Sequence, residues 1–391
     1  MKTEAYIQSL KSLPFKMGGP PRFIIAGGGT GGHIFPAIAI ANAIKEQQPG
    51  AEILFVGASG KMEMQKVPEA GYKIIGLYIA GYNRSSLLKN ITLPFKLLKS
   101  FLQVTEILST FKPQAVIGVG GYSSFPVLRM AQTRNIPTFI HESNSMPGRS
   151  NKILAKRVTK VFVADEELNQ YFPPKKVVVT GNPVRNIFSE GNIIRSEAVE
   201  FFGLNPEFKT VFVMGGSLGA KSINEAIAAN VETFKQNKVQ LIWQTGKSYS
   251  YKAAGVEEEN PLIWTNAFID KIEFAYAASD VVVSRAGAMA IAELCVVSKP
   301  VIFIPYPFAS EDHQMVNAMA LVKKNAALVI KDSEVKTKLM DTILQLLNDH
   351  TLSLELRENI CKLANTDADK KIAEEILTHI KKIETEKRLK H

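Results

Sequence analysis

The stretch RFIIAGGGTGGHIFPAIAIANAIK (residues 22–45) decides how the chain is read. Phe23-Ile24-Ile25-Ala26 is a short apolar run of the kind that forms a buried strand. Five glycines fill the six positions 27–32, His33 follows, and a helical apolar pattern begins at Ile34. A glycine-rich turn from strand to helix presents backbone N–H groups at the positive helix end, which is an anion site. Gly27, Gly29 and Gly32 also fit G-x-G-x-x-G, the dinucleotide spacing. That fingerprint further needs an acid about 20 residues on, at the end of the second strand, to hold a ribose. Here the second strand ends FVGAS (55–59), Glu52 stands at its wrong end, and Glu63 already belongs to the next helix. NAD is disfavoured; a different phosphate cradle and a tight packing turn both stay open.

Working outward, strands and helices alternate. A helix over 34–47 leads to the strand AEILFVG (51–57), a short helix over 61–70, the strand YKIIGLYIAG (72–81) and a helical stretch over 87–111. QAVIGVGG (114–121), IPTFIHES (136–143), KVFVA (160–164) and KVVVTGNPV (176–184) continue as strands. Near-continuous apolar strands separated by helices predict a parallel sheet covered on both faces. The plan then restarts: TVFVMGGSLGAKSINEAIAAN (210–230) repeats strand, glycine turn and helix. VQLIWQTG (239–246), PLIWTNAF (261–268), DVVVSRAG (280–287) and KPVIFIPY (299–306) follow as strands. Two such series read as α/β, two Rossmann-like doubly wound domains with a seam near GNPVRNIF (181–188). Residues 335–391 are helical and polar. Residues 1–16 precede the first strand as an extension of unknown role, and Met17 is a second candidate start.

Length and composition agree with that plan. A chain of 391 residues, 46% hydrophobic and 21% charged, suits two or three globular domains. No apolar run approaches the roughly 18 residues that span a bilayer, and the first residues lack a secretory pattern. Cys295 and Cys361 make neither a disulfide framework nor a metal spacing, so a reducing cytoplasm fits best. The net charge of +10 is uneven: residues 1–160 carry 20 Lys and Arg against 7 Glu and no Asp. A basic half suits an anionic partner, although lysine-rich surfaces also serve solubility.

Other glycine turns sharpen the chemistry. GGSLGAKS (215–222) misses the P-loop because Ala220 replaces a required glycine, and LIWQTGKS (241–248) has Leu241 where the first glycine belongs, so nucleotide hydrolysis is excluded. His33, at a helix N-terminus, should have a lowered pKa; it is a candidate base and equally a candidate cap. Polar clusters sit at further strand ends: His141, Glu142 and Asn144 in HESNSMPG, Arg185 in GNPVR, and Arg285 with Glu293 in SRAGAMAIAEL (284–294). Ligands of open α/β sheets bind at such ends. No metal motif occurs, and Asp165-Glu166-Glu167 reads as a solvated helix start.

The motifs GGGTGGHIFPAIAIA, GVGGYSSFP, HESNSMPG, GNPVR, GGSLGA, AYAASDVVVSRAGAMAIAEL and EDHQMVNA, in this order from Arg22 to Ala326, resemble the MurG family of glycosyltransferases. The resemblance implies the GT-B fold, two Rossmann-like domains with a cleft between them. It divides the chain into an extension (1–16), an acceptor- and membrane-side domain (17–185), a domain binding UDP-N-acetylglucosamine (186–365), and a C-terminal helix (366–391) packing back on the first domain. It implies metal-independent, inverting transfer of N-acetylglucosamine from that donor, a substrate rather than a cofactor, to the 4-hydroxyl of a lipid-linked muramyl pentapeptide in peptidoglycan synthesis. A UDP-N-acetylglucosamine epimerase and a non-catalytic nucleotide-sugar binder are the alternatives.

Residue by residue, the resemblance places Thr30, Gly31 and Gly32 at donor and acceptor phosphates and Asn144 at the donor. Arg185 and Ser217 fall near UDP, and the Ile269 backbone at uracil. Ala288, Met289, Ala290, Ile291 and Ala292 form the helix start over the diphosphate, with Glu293 on the ribose. Gln314 reads sugar hydroxyls, and His33 and Glu142 are candidates for activating the acceptor. Ser143 and Leu218 depart from the family's more frequent glutamines. A lipid acceptor requires a membrane surface. Arg84, Lys89, Lys96 and Lys99 alternate with Leu87, Leu88, Phe95 and other apolar residues, and no acid lies between Glu69 and Glu106. That pattern suits peripheral contact with an anionic inner-membrane face; a core-packed amphipathic helix is the other reading. Nucleic acid is not expected as a partner; other cell-wall or division proteins are candidates.

Overall fold

The computed structural model describes residues 19–81, 90–185, 188, 193–216, 218–253, 255–256, 260–309 and 312–389. The chain forms two compact units, one running to Val184 and resuming at Asp367, the other spanning Arg185–Thr366.

In the first unit the elements run β1 (Arg22–Ala26), α1 (Gly31–Gln47), β2 (Glu52–Ala58), α2 (Glu63–Glu69), β3 (Lys73–Leu77), α3 (Leu93–Phe111), β4 (Ala115–Gly118), α4 (Ser124–Thr133), β5 (Thr138–Glu142), α5 (Arg149–Ala155), β6 (Lys160–Val163) and β7 (Val177–Val179). They build one sheet in the order β3-β2-β1-β4-β5-β6-β7, with parallel pairing throughout. All five residues of β1 are buried, as two-sided cover demands. On one face Val104, Leu108, Leu128 and Leu154 pack from α3, α4 and α5. On the other, Ile40 and Ile44 of α1 pack with Ile372, Ile376 and Ile380.

In the second unit come α6 (Arg195–Phe201), β8 (Thr210–Met214), α7 (Lys221–Ala228), α8 (Val231–Gln236), β9 (Gln240–Gln244), α9 (Ser250–Ala253), β10 (Ile263–Asn266), α10 (Ile272–Ala278), β11 (Val281–Ser284), α11 (Ala288–Val297), β12 (Val301–Phe303), α12 (His313–Val322), β13 (Leu328–Val329), α13 (Val335–Asn348) and α14 (His350–Cys361). Their strands form a parallel sheet ordered β10-β9-β8-β11-β12-β13. The last helix, α15 (Ala368–Arg388), belongs to the first unit. Gln114 Nε2 donates to Glu384 Oε1 at 2.7 Å, and Lys160 pairs with Glu375.

In both sheets the strand order reverses beside the first strand of the unit, between β1 and β4 and between β8 and β11. The crevice at the carboxyl ends there is where α/β proteins bind ligands. Each crevice carries glycine turns. Helix α1 begins at Gly31, three residues before the apolar pattern suggested, because Thr30 is extended and its carbonyl accepts from His33 and Ile34. Gly31, Gly32 and His33 are therefore the first helical turn.

Candidate functional site

In the first unit, Gly28 and Gly29 follow β1 with positive φ, +145° and +91°. Glu63 opens α2, is buried, and turns its carboxylate back under this loop. Oε2 accepts from Gly29 N and Oε1 from Ala58 N, both at 2.9 Å. A Cβ on Gly28 would stand 2.2 Å from Glu63 Oε1, so at this positive φ a side chain would be strained and would have to displace the carboxylate. The turn after β4 interlocks with it. A Cβ on Gly121 would meet Gly28 O at 2.3 Å, and one on Gly120 would meet the His33 imidazole at 2.7 Å. Helix α1 has neither a side-chain cap nor an acid in its first turn, so its positive end stays open to an anion.

Burial pushes the His33 pKa below its ordinary value, while the Glu142 and Glu63 carboxylates pull the other way. The direction matches the helix-end argument, but the leading cause is desolvation. The imidazole is therefore neutral at pH 7 and able to accept a proton.

Glu142 and His141 end β5, both buried. Glu142 is fully engaged by its own loop. Oε1 accepts from the backbone and side-chain nitrogens of Asn144, each at 3.1 Å, and Oε2 from Gly148 N at 3.1 Å and Asn151 Nδ2 at 2.8 Å. His141 is driven to a pKa of about 4 by burial, with Asn182 opposing and His33 adding to the depression. Asn182 Nδ2 donates to Ser143 O at 3.1 Å.

In the second unit Gly215 and Gly216 follow β8. Gly219 packs on the turn after β9, where its Cβ would meet Thr245 O at 2.2 Å. Gly216, with φ +84°, has open space where a Cβ would stand. Ser217 lies outside the described residues. Helices α7 and α11 begin without side-chain caps or first-turn acids. Arg185 Nη2 lies 3.5 Å from Glu293 Oε1, and Tyr276 Oη donates to Glu293 Oε2 at 3.4 Å. Burial raises the Glu293 pKa, which Arg185 and Tyr276 oppose. Ile269 N donates to Gln244 Oε1 at 3.1 Å, and Gln314 Oε1 accepts from Tyr306 N at 2.9 Å.

Arg285 does not present its charge to a crevice. Nη1 donates to Ile304 O at 3.0 Å, Pro305 O at 3.2 Å and Asp332 Oδ1 at 2.5 Å, and Nη2 to Ser222 Oγ at 3.1 Å. Asn151 and Gln244 carry no signal in the sequence, Glu63 stands there only as an acid misplaced for a ribose and Tyr276 only within the AYAASD motif, because each acts on a partner brought to it by the fold.

On α3, Val104, Ile107, Leu108 and Phe111 face the core. Ile91, just before the helix, and Phe95, Leu98 and Leu102 on it are 61–75% exposed at heptad-like spacing, a second apolar stripe that does not pack inward. Lys99 Nζ lies 4.8 Å and Lys96 Nζ 5.9 Å from the centre of the exposed Tyr78 ring. Arg84, Leu87, Leu88 and Lys89 lie outside the described residues. No helix among the described residues is long and apolar enough to cross a membrane.

Two parallel-sheet units with open helix ends at their switch points are those of the GT-B fold, and the family models make the chain a glycosyltransferase. Residues 23–163 match the glycosyltransferase family 28 N-terminal domain and residues 210–376 its C-terminal domain. The chain belongs to the MurG family. It is 50% identical over 358 residues, 91% of this chain and 95% of the relative, to the UDP-N-acetylglucosamine--N-acetylmuramyl-(pentapeptide) pyrophosphoryl-undecaprenol N-acetylglucosamine transferase of Phocaeicola vulgatus. It is 48% identical over 363 residues to that of Bacteroides thetaiotaomicron, covering 91% of this chain and 97% of the relative. The crystal structure of Acinetobacter baumannii MurG matches with a TM-score of 0.70 at 25% identity, over 92% of this chain and all of that one. A UDP-GlcNAc 2-epimerase from Neisseria meningitidis shares the fold, with a TM-score of 0.66 at 15% identity over 92% of this chain and all of that one.

Proposed function

We propose that this chain transfers N-acetylglucosamine from UDP-N-acetylglucosamine to the 4-hydroxyl of a lipid-linked N-acetylmuramyl pentapeptide, with inversion at the anomeric carbon. The observation that carries the reading is identity of about half over nine-tenths of the chain to transferases of that name. The first unit takes the acceptor and the second the donor. The acceptor oxygen forms a bond to C1 as the bond from C1 to the β-phosphate oxygen breaks, and UDP leaves.

Charge developing on UDP meets the open N-termini of α7 and α11, the Gly215–Gly219 loop with Ser217, and Arg185. Such preorganised donors are typically worth about 3–4 kcal/mol each in the transition state. Uracil meets the Ile269 backbone, and Glu293 turns from Arg185 and Tyr276 to the ribose. Gln314 has its oxygen held by Tyr306 N and so offers its amide N–H to a sugar hydroxyl. On the first unit Thr30, Gly31 and Gly32 face phosphate at the start of α1. His33 accepts the acceptor's proton. Glu142, with both oxygens engaged by four N–H groups, organises the 143–148 loop and with it Asn144, rather than moving a proton.

The lipid end of the acceptor is met at a membrane. The stripe Ile91, Phe95, Leu98 and Leu102, flanked by Lys96 and Lys99, supports peripheral contact with an anionic inner-membrane face. Product analysis tests the whole reading. UDP-N-acetylglucosamine with lipid acceptor should give UDP and the disaccharide lipid, with EDTA present or absent. Epimerised donor without acceptor would mean an epimerase, and binding without turnover would mean a sensor.

A further inference from the structure

Arg285 is the charged residue of the β11–α11 turn, yet its guanidinium is spent on other parts of the second unit. It grips two successive carbonyls, Ile304 and Pro305, at the end of β12. The next residue is Tyr306, whose backbone N–H holds Gln314 Oε1 at 2.9 Å and whose ring centre lies 5.6 Å from the same guanidinium. Behind the guanidinium, Asp332 Oδ1 accepts from Arg285 Nη1 and from Ser222 Oγ, each at 2.5 Å, and Ser222 sits in the first turn of α7. A second tie joins the same turn to α12: the buried Asn317 donates from Nδ2 to Ala286 O at 3.1 Å.

From these contacts we infer that Arg285, fixed by Asp332 and Ser222, is a positioning residue that sets where Gln314 stands, and so sets the discrimination between sugar epimers. The inference rests on the reading of Gln314 as the group that meets the transferred sugar. The logic is geometric. Gln314 has a flexible side chain, and one backbone N–H holds its oxygen. That N–H belongs to a strap whose two preceding carbonyls are held by one arm, Nη1, of a planar guanidinium whose other arm, Nη2, is set on Ser222. Lysine at 285 would keep the charge but has no fork to span Ile304 O, Pro305 O, Asp332 and Ser222 together. The strap would then drift, and a hydrogen bond aimed at one sugar hydroxyl would lose its selectivity before the nucleotide lost its contacts.

The test compares UDP-N-acetylglucosamine with UDP-N-acetylgalactosamine, its epimer at one hydroxyl, using full-length wild type, Arg285→Lys, Ser222→Ala, Gln314→Ala and the Arg285→Lys/Gln314→Ala double variant. Arg285→Lys should lower kcat/KM for the natural donor about tenfold and the epimer preference about fivefold, with the inhibition constant of UDP alone within about twofold. Ser222→Ala, which removes the hydroxyl that accepts from Arg285 Nη2 and donates to Asp332 but leaves Nη1 on its carbonyls, should move the preference the same way by a smaller factor. The double variant should show the preference of Gln314→Ala, with no further loss. An unchanged preference in both Arg285→Lys and Ser222→Ala, or additive losses in the double variant, overturns the inference. A preference untouched by Gln314→Ala itself overturns it by a distinct route, through the assignment of Gln314.

Discussion

The two units share a topology and differ in how they hold their glycine loops. In the first, one carboxylate, Glu63, ties down the Gly29 N–H from below and fills the space beside Gly28. In the second, the loop rests on the neighbouring turn, glycine against backbone, and Gly216 faces open space. A loop whose N–H already has an internal anion offers fewer donors to an outside one. A loop held by backbone packing keeps its donors for a ligand. On the proposed reading, the strand-turn-helix of the first unit seats a base and faces phosphate only from the start of α1, while that of the second receives the donor's diphosphate.

The sharpest way to break this comparison is at His33, the proposed base. His33→Ala should lower kcat by about 10²–10⁴ with little change in thermal stability. Glu142→Gln should lower kcat and the melting temperature together, because an NH₂ then faces the Gly148 and Asn151 donors. Equal stability losses in the two variants would erase the distinction between them. Next come the glycines. Gly28→Ala drives a methyl into Glu63 and should cost about 3 kcal/mol or more of stability, while calorimetric affinity for UDP holds. Gly216→Ala should cost only about 1 kcal/mol but weaken UDP about tenfold. The reverse pattern would show the loops to be equivalent.

Acid probes the first unit again. His141 keeps its proton far less readily folded, at about 4, than unfolded, near 6.5. Stability is therefore full above pH 6.5, falls as pH drops to 4, and levels off below. The loss attributable to this group is about 3 kcal/mol. Denaturant titrations of His141→Gln should show a correspondingly shallower acid loss than wild type; an identical slope rejects the assignment. The smallest effect is at the surface. Lys99→Gln should weaken sedimentation with anionic vesicles by about 1 kcal/mol, and Lys235→Gln on the second unit should not. Equal effects would mean that membrane contact is not confined to the first unit.

Much of this architecture is legible in the sequence. Near-continuous apolar strands and two glycine-turn openings give two parallel sheets, because hydrophobic period and turn chemistry are local signals. The roles that stayed hidden depend on distant partners. Glu63 counted only as an acid misplaced for a ribose, yet the turn into α2 brings its carboxylate back under Gly29, 34 residues earlier. Arg285 sits in a ligand-like turn but answers to Asp332, 47 residues on. The direction of the His33 shift is readable from its helix position, whereas the burial that dominates it depends on neighbours such as Gly120 that the fold brings against the imidazole.

The return of the chain to its first unit has a consequence in time. Ile372, Ala373, Ile376, Leu377 and Ile380 complete the face formed by α1 and the first sheet, yet more than 180 residues of the second unit are made before them. As the protein emerges from the ribosome, the second unit has all its own residues before the first does. The earlier-made sheet waits with the part of that apolar face not covered by α1 exposed until α15 arrives. That interval is when this chain most needs protection from aggregation, and a nonsense codon just before Asp367 would make the wait permanent.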